Sequence, residues 1–479
     1  MEIIQKLQDP QLVADFQHFF GVHRKDVKSS KKHYIGKDEL FTSAPALQNR
    51  AWESKHMDKY LDEQSVKQDL HCRSKCETLA APDPSQKTHS CQDAVSSNTS
   101  VASDAGNGCA GRSWMGILLG ENTGGTEGSM EEDNTLSESE VEETTYEIKN
   151  RFWYHLFHFA TNLGGELFYS VFFCFWAWNV DGAVLRRVIV IWMITMYIGQ
   201  VLKDILKVPR PACPPVIRLD PKWQLEYGLP STHAMVGVAM PFSILILTLN
   251  RYQLDWGWGL AIALTWCACV CLSRMYLGMH SLLDVLCGLV LVTVLLILIL
   301  PWVDVLDHLA LTHPASPIIS ITLTIAMIVC YPATDRWTPA RGDTTVIVGV
   351  GCGSLLGSWV NYQMGIIREP SLPPPYTVIW PSFNMIGLSL LRTVLGLVII
   401  VAVRAIFKSL SFATICALLQ VKAEDYVNKT GGIPVRHRLI VELFYKFITY
   451  IATGFTVVYT GPMAFRLIGI ERPTFYTEV

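Results

Sequence analysis

The sequence is poor in charged residues. Only 17% of its 479 residues are Asp, Glu, Lys or Arg, and 50% are apolar, whereas an average soluble protein carries about 25% charged residues. The deficit is uneven, because residues 1–148 are polar and rich in Ser, Thr, Glu, Asn and Gly. From Phe152 onward, apolar stretches of about 20 residues recur, each long enough to cross a bilayer as a helix. The composition predicts an all-α polytopic membrane protein.

Other features are also missing. No basic stripe is present, and the net charge of −3 reflects acidic residues in the tail, so we expect no nucleic-acid binding. The N-terminus lacks a basic stretch followed by an apolar core, so we expect no cleaved signal peptide. His71, Cys72 and Cys76 have no second ligand pair at a recognised spacing, which argues against a metal site there. No internal repeat stands out in the sequence, which argues mildly against a transporter fold built on duplicated halves.

We divide the chain into three parts. Residues 1–148 are predicted to be a mostly disordered tail, with a short amphipathic helix over 3–21 that either lies on the membrane or docks on the protein. Residues 149–332 are predicted to form a membrane core and residues 333–479 to add further spans. The candidate spans are 153–178, 184–206, 232–249, 257–277, 281–301, 317–332, 344–361, 383–403 and 438–460. A weaker stretch at 408–421 is a tenth span or an interfacial helix.

Three groups of polar residues stand at the ends of predicted spans, where such residues are costly and mark functional sites. They are Lys203, Lys207 and Arg210 at the end of the second span, Pro230, Ser231, Thr232 and His233 at the start of the third, and Ser273, Arg274, His280 and Asp284 where the fourth ends and the fifth begins. Because successive spans alternate in direction, all these ends fall on one membrane face. We therefore expect the three groups to converge.

The residue types at this face suit phosphate. Lys203, Lys207 and Arg210 share one helical face if the helix continues through them, and their cationic groups complement phosphate oxygens. Ser231 and Thr232 open a helix, where free N–H groups favour an anion. These features predict a phosphate-binding site.

Two histidines at such a site divide between nucleophile and general acid. His280 and Asp284 are four residues apart, so the carboxylate can accept from one imidazole nitrogen and leave the other free to attack phosphorus. His233 lies beside the anion-binding turn and suits protonation of the leaving alkoxide. Asp204 and Asp220 do not form the converging set of carboxylates that Mg²⁺ needs, so a metal-free site is favoured.

The spacing Lys203-x6-Arg210-Pro211, Pro230-Ser231-Thr232-His233 and Ser273-Arg274-x5-His280-x3-Asp284 resembles the three-part signature of the type 2 phosphatidic acid phosphatase superfamily. The resemblance implies a metal-independent phosphoric monoester hydrolase that needs no cofactor. It implies that His280 attacks to give a phosphohistidine, that Asp284 orients His280, and that His233 protonates the leaving oxygen and later activates water. Phosphoryl oxygens would be bound by Lys203, Arg210, Ser231, Thr232 and Arg274.

Thr232 narrows the resemblance to one branch of the superfamily, because many members have Gly at that position. Pro-Ser-Thr-His resembles the sphingosine-1-phosphate phosphatase branch, as do the extra C-terminal spans, and the segment Leu7–Pro10 ahead of a long polar tail resembles the type 1 form. The implied reaction is dephosphorylation of sphingosine 1-phosphate and related long-chain sphingoid base phosphates to sphingosine. The alternatives are a broader lipid or isoprenoid phosphate phosphatase and a non-catalytic lipid transporter or scaffold.

The basic residues predict an orientation. Arg186 and Arg187 precede the second span and Arg251 follows the third, all opposite the site, and the positive-inside tendency places them in the cytosol. The site would then face the lumen of the endoplasmic reticulum, as in the phosphatases that the chain resembles. The tail would also be lumenal if 153–178 crosses once, unless that segment re-enters or a further crossing is hidden. Glycosylation at Asn98 would report on this.

Overall fold

The computed structural model describes residues 2–24, 146–220, 225–333, 338–422, 426 and 434–479. Within these ranges the regular structure is helical apart from two three-residue strands. The predicted all-α class is therefore confirmed. The group around His71 and the Asn98 sequon lie outside the described residues, as does most of the predicted tail.

The helices follow in chain order. They are α1 (Glu2–Gln8), α2 (Pro10–Phe19), α3 (Arg151–Asn162), α4 (Glu166–Asn179), α5 (Gly182–Leu206), α6 (Thr232–Arg251), α7 (Trp256–Tyr276), α8 (Leu282–Thr312), α9 (Ser316–Val329), α10 (Ala340–Gln363), α11 (Phe383–Leu418), α12 (Val435–Phe455) and α13 (Gly461–Ile468). A π-helical turn, Thr456–Thr460, joins α12 to α13, and a 3-10 turn, Pro473–Thr477, precedes the C-terminus. Strand β1 (Val22–Arg24) pairs antiparallel with β2 (Tyr146–Ile148).

Seven segments of the described chain are long and apolar enough to cross a membrane. They are α5, α6, α7, α8, α10, α11 and the continuous rod Arg436–Ile468 formed by α12 and α13. The shorter apolar helix α9 has 14 residues. The main core of buried apolar side chains lies among α4, α5, α6, α8 and α10. The multi-pass membrane prediction is therefore supported by length and composition.

Two predicted spans differ from the structure. The segment 153–178 is not one helix, because the chain breaks at Gly164 and Gly165 between α3 and α4. A β-carbon on Gly164 would lie 3.0 Å from the ring of His233, so the break permits a close approach. The stretch 408–421 is not a separate span, because its residues up to Leu418 continue the 36-residue helix α11.

The two ends of the bundle are named here after the termini of α5, the Gly182 end and the Leu206 end. Just before α5, the Asp181 carboxylate accepts a hydrogen bond of 2.8 Å from Nε of Arg251, the last residue of α6. The last turn of α6 therefore lies at the Gly182 end, and α5 and α6 run in opposite directions. This is the alternation on which the predicted convergence depends.

The N-terminal segment docks on the protein at the Leu206 end. Gln17 of α2 is buried, and its Nε2 donates to the carbonyl oxygens of Ile217, at 2.6 Å, and Tyr276, at 2.9 Å. Its Oε1 accepts from the Ile217 amide at 2.9 Å. Of the two alternatives predicted for this helix, these contacts favour docking on the protein over lying on the membrane surface. The predicted disorder also begins too early, because Val22–Arg24 forms a strand.

A buried ion pair ties α5 to α8 at the Gly182 end. Arg186 donates from Nε to Asp307 Oδ1 at 2.5 Å and from Nη2 to Asp307 Oδ2 at 2.8 Å. Arg187 Nη1 also lies 3.2 Å from Asp307 Oδ2. Both side chains of the Arg186–Asp307 pair are almost fully buried, at 5% and 1% exposure. Loss of one partner therefore leaves an uncompensated charge in an apolar interior.

We expect Asp307→Ala to destabilise the fold by about 3–5 kcal/mol, because it leaves Arg186 buried and unpaired. The matched control is Asp304→Ala, which removes a 64% exposed carboxylate that binds Arg187 and should cost at most about 1 kcal/mol. Thermal unfolding of the detergent-solubilised protein measures both. Equal melting temperatures for the two variants would contradict this account of the ion pair.

Candidate active site

The predicted site residues come together at the Leu206 end. Lys203 lies in the last turn of α5 and donates from Nζ to Thr232 Oγ1 at 3.0 Å, which joins the first two groups. Nη1 of Arg210 lies 3.2 Å from Nε2 of His280, which joins the first and third. Residues from four helices and two loops therefore meet in one place, as the alternation of the spans predicts.

Two glycines let the start of α6 approach its neighbours closely. A β-carbon on Gly199 of α5 would lie 3.0 Å from the Thr232 side chain, and one on Gly288 of α8 would lie 2.9 Å from the Ser231 carbonyl oxygen. Ser231 is the N-cap of α6, and its backbone N–H donates to the Asp284 carbonyl at 3.1 Å. The first turn of α6 is thus fixed between α5 and α8.

His280 has the protonation state that a nucleophile needs. A guanidinium can only donate hydrogen bonds, so the contact with Arg210 assigns Nε2 as the acceptor and places the ring proton on Nδ1. Burial, together with the positive charges of Arg210 and Arg274, lowers the pKa of His280 well below its ordinary value. His280 is therefore neutral at neutral pH, with its lone pair on the nitrogen that faces the cations.

Asp284 is held differently from the prediction. Its Oδ2 accepts from the Ser281 amide at 2.8 Å, while Ser281 Oγ accepts from the Asp284 amide at 3.2 Å, which is a capping box. Oδ2 lies 3.7 Å from Nδ1 of His280, which is too long for a hydrogen bond. The predicted direct bond is therefore absent, although the carboxylate faces the protonated nitrogen of the imidazole.

Arg274 is buried at the end of α7 and has donors to spare. Its Nη1 donates to Thr161 Oγ1 at 2.5 Å, while Nε and Nη2 are buried without a hydrogen-bond partner. Sequence reasoning missed Thr161, because it lies in α3, more than a hundred residues from Arg274. His233 is half-buried, with its ring beside Gly164, and its charge acts on His280.

The first group is not a continuous helical face. Helix α5 ends at Leu206, and Lys207 adopts a left-handed conformation with φ of 53°. The condition for one shared helical face is therefore not met, and Arg210 enters the site from a loop. Its Nη1 also donates to the Met279 carbonyl at 2.7 Å, which fixes the guanidinium beside His280.

Glu226 is a site residue that sequence reasoning missed. Its Oε2 lies 2.7 Å from Lys203 Nζ and 3.8 Å from Arg210 Nη2, and its backbone carbonyl accepts from Arg210 Nε at 3.0 Å. Burial acts to raise the pKa of Glu226, but the charges of Lys203 and Arg210 outweigh it and lower the pKa, so the side chain is ionised. The sequence contained one indication of this role, because Glu226 is an acid only four residues before Pro230, where the second motif begins.

The two acids considered as magnesium ligands make other interactions in the structure. Asp204 is buried and accepts from the Tyr331 hydroxyl at 2.8 Å, so it links α5 to the end of α9. Asp220 acts electrostatically on Arg210 and Arg274. The described part of the chain contains no group of three or more His, Cys, Asp or Glu residues placed to hold a metal ion.

Comparisons with known proteins show the family of the chain. Residues 184–307 match the PAP2 superfamily. Sphingosine-1-phosphate phosphatase 1 of Rattus norvegicus is 39% identical over 68% of this chain and 74% of its own length. Sphingosine-1-phosphate phosphatase 2 of Mus musculus is 39% identical over 67% of this chain and 90% of its own length. The corresponding human protein, sphingosine-1-phosphate phosphatase 2 of Homo sapiens, is 39% identical over 68% and 80%.

No solved structure matches the chain. The curated relatives include both numbered forms of the phosphatase, at equal identity, and each match covers about two thirds of this chain. The chain belongs to the sphingosine-1-phosphate phosphatase family, within the PAP2 superfamily.

Proposed function

We propose that this protein hydrolyses lipid phosphate monoesters, and that its substrates are sphingosine 1-phosphate and related long-chain sphingoid base phosphates. One observation carries the proposal: a neutral, buried His280 has its Nε2 lone pair directed at Arg210, 3.2 Å away, within a group of buried cations. Such an arrangement combines a nucleophile with an anion-binding pocket. The names of the relatives supply the lipid class.

The first step transfers the phosphoryl group to the enzyme. Lys203, Arg210 and Arg274 bind the phosphoryl oxygens, together with Ser231 and Thr232 at the start of α6. Once Arg210 binds an oxygen of the phosphate, Nε2 of His280 is released to attack phosphorus. The P–N bond forms as the bond from phosphorus to the lipid oxygen breaks.

Protons are handled by His233 and Asp284. Protonated His233 gives its proton to the leaving alkoxide, so the leaving oxygen of sphingosine departs as an uncharged hydroxyl. Asp284, 3.7 Å from the protonated Nδ1, stabilises the positive charge that develops on the ring of His280. Neutral His233 then takes a proton from water, whose oxygen attacks phosphorus. The P–N bond breaks, phosphate leaves and His280 returns to its neutral form.

We expect His280→Ala to abolish phosphate release from sphingosine 1-phosphate, with a loss of at least about 1,000-fold, because no other group can form the covalent intermediate. His313→Ala is the matched control, since His313 follows α8 at the Gly182 end and should leave activity unchanged. The assay uses purified protein and a metal chelator.

Full phosphate release by His280→Ala would exclude the histidine mechanism, whereas absence of release by the wild type would favour a scaffold role. Release that requires added Mg²⁺ would contradict metal-independent hydrolysis. Equal turnover of phosphatidic acid and sphingosine 1-phosphate would replace the proposed substrate with a broader lipid phosphate class.

The lowered pKa of His280 makes stability depend on pH. The unfolded chain binds a proton at this residue below about pH 6.5, whereas the folded protein does not, so stability falls as the pH drops below that value. We expect the melting temperature of the wild type to fall relative to His280→Gln between pH 7 and pH 5 in detergent. A constant difference over this range would show that His280 is not held neutral.

We place the Leu206 end, and with it the active site, in the lumen of the endoplasmic reticulum. At the opposite end Arg187 and Arg251 lie where α5 begins and α6 ends, which agrees with the positive-inside tendency. The docked N-terminal segment shares the side of the site.

Cysteine labelling tests this orientation. We use an active variant that keeps only Cys213, in the loop between α5 and α6. We expect an impermeant maleimide to leave Cys213 unlabelled in intact microsomes and to label it after the microsomes are permeabilised. Gln253→Cys, in the exposed loop between α6 and α7, should be labelled in intact microsomes. The reverse pattern would place the site in the cytosol.

A further inference from the structure

Glu226 introduces negative charge into a group of buried cations that suits an anion. Its Oε2 is 2.7 Å from Lys203, so it neutralises part of the charge that attracts phosphate. A carboxylate beside a bound phosphate also repels it. Phosphate binding alone therefore gives no reason for a buried acid at this position.

The second oxygen of Glu226 has no partner. Oε1 is buried and makes no hydrogen bond with any described residue, while the whole side chain is 4% exposed. An ionised oxygen in such a place is costly unless a donor satisfies it. The site thus contains a buried hydrogen-bond acceptor, Glu226 Oε1, beside Lys203 and Arg210. A ligand would complement this acceptor with a cationic hydrogen-bond donor.

The substrate class carries such a donor. A sphingoid base phosphate has a primary ammonium on the carbon next to the one that bears the phosphate ester. In the structure, Arg210 lies between the two groups: its Nη1 is 3.2 Å from the nucleophilic nitrogen of His280 and its Nη2 is 3.8 Å from Glu226 Oε2. A headgroup with its phosphorus at His280 can therefore extend its neighbouring ammonium toward Glu226.

We infer that Glu226 binds the ammonium group of the substrate through Oε1 and selects amino-bearing lipid phosphates over those without an amine. This inference rests on the proposed function. Three cations and one carboxylate then match a headgroup that carries a phosphate dianion and a single positive charge. A glycerol-based lipid phosphate offers Oε1 an uncharged hydroxyl or ester group where a sphingoid base phosphate offers an ammonium, so the charge-assisted hydrogen bond is lost.

The test compares two substrates on two variants. For Glu226→Gln, which keeps the shape and removes the charge, kcat/KM for sphingosine 1-phosphate should fall about 10- to 100-fold. For a single-chain glycerol phosphate without an amine, kcat/KM of the same variant should change by less than about threefold. Asp220→Asn, which removes a carboxylate from the same loop, should leave the ratio of kcat/KM for the two substrates unchanged.

A second measurement needs no variant. The wild type should hydrolyse an analogue of sphingosine 1-phosphate whose amine is replaced by hydrogen about 10- to 100-fold less efficiently than the parent. Equal efficiency on the parent and the analogue would overturn the inference. An equal loss of kcat/KM for sphingosine 1-phosphate and the glycerol phosphate in Glu226→Gln would also overturn it, because it would show that Glu226 only orients Lys203. Absence of phosphate release from every substrate by the wild type would instead refute the proposed function.

Discussion

Burial of cations at one end of an apolar bundle is the constraint on which the site depends. Lys203, Arg210 and Arg274 are all buried, and each loses hydration that the protein must replace. Lys203 is held by Glu226 and Thr232, Arg210 by carbonyl oxygens of its neighbours, and Arg274 by a single hydroxyl. The cations are fixed before a ligand arrives, and several donors remain for it. That arrangement favours a phosphoryl group whose charge grows during transfer.

The far end of the bundle sets the positions of the helices that carry the site. The pair Arg186–Asp307 fixes α5 against α8, and Asp181 binds Arg251 where α5 begins and α6 ends. The same three helices provide Lys203, Thr232 and Asp284 at the Leu206 end. A shift of one helix along its axis would break a buried ion pair at one end and separate site residues at the other. Structural and functional charges are therefore coupled through rigid helices.

The sequence predicted the convergence, because helix direction and span ends follow from hydropathy alone. It did not predict the contacts of Glu226 and Thr161, since these join segments that are distant in the chain or lie in a polar loop without periodicity. The predicted bond between His280 and Asp284 assumed a helix through both residues. His280 instead precedes the N-cap Ser281, and the Ser-x-x-Asp pattern of a capping box was present in the sequence.

The unpaired polar atoms of the site form a coherent set. Nδ1 of His280, Oδ1 of Asp284, Nε and Nη2 of Arg274 and Oε1 of Glu226 are all buried without hydrogen bonds in the described structure. Without a partner such atoms reduce stability, and these five lie where the phosphate and ammonium of the proposed substrate would satisfy them. In the proposed function a phosphoryl group pairs with Arg274, and in our inference an ammonium pairs with Glu226. The charges of these two residues would then set the charge pattern of the preferred lipid headgroup.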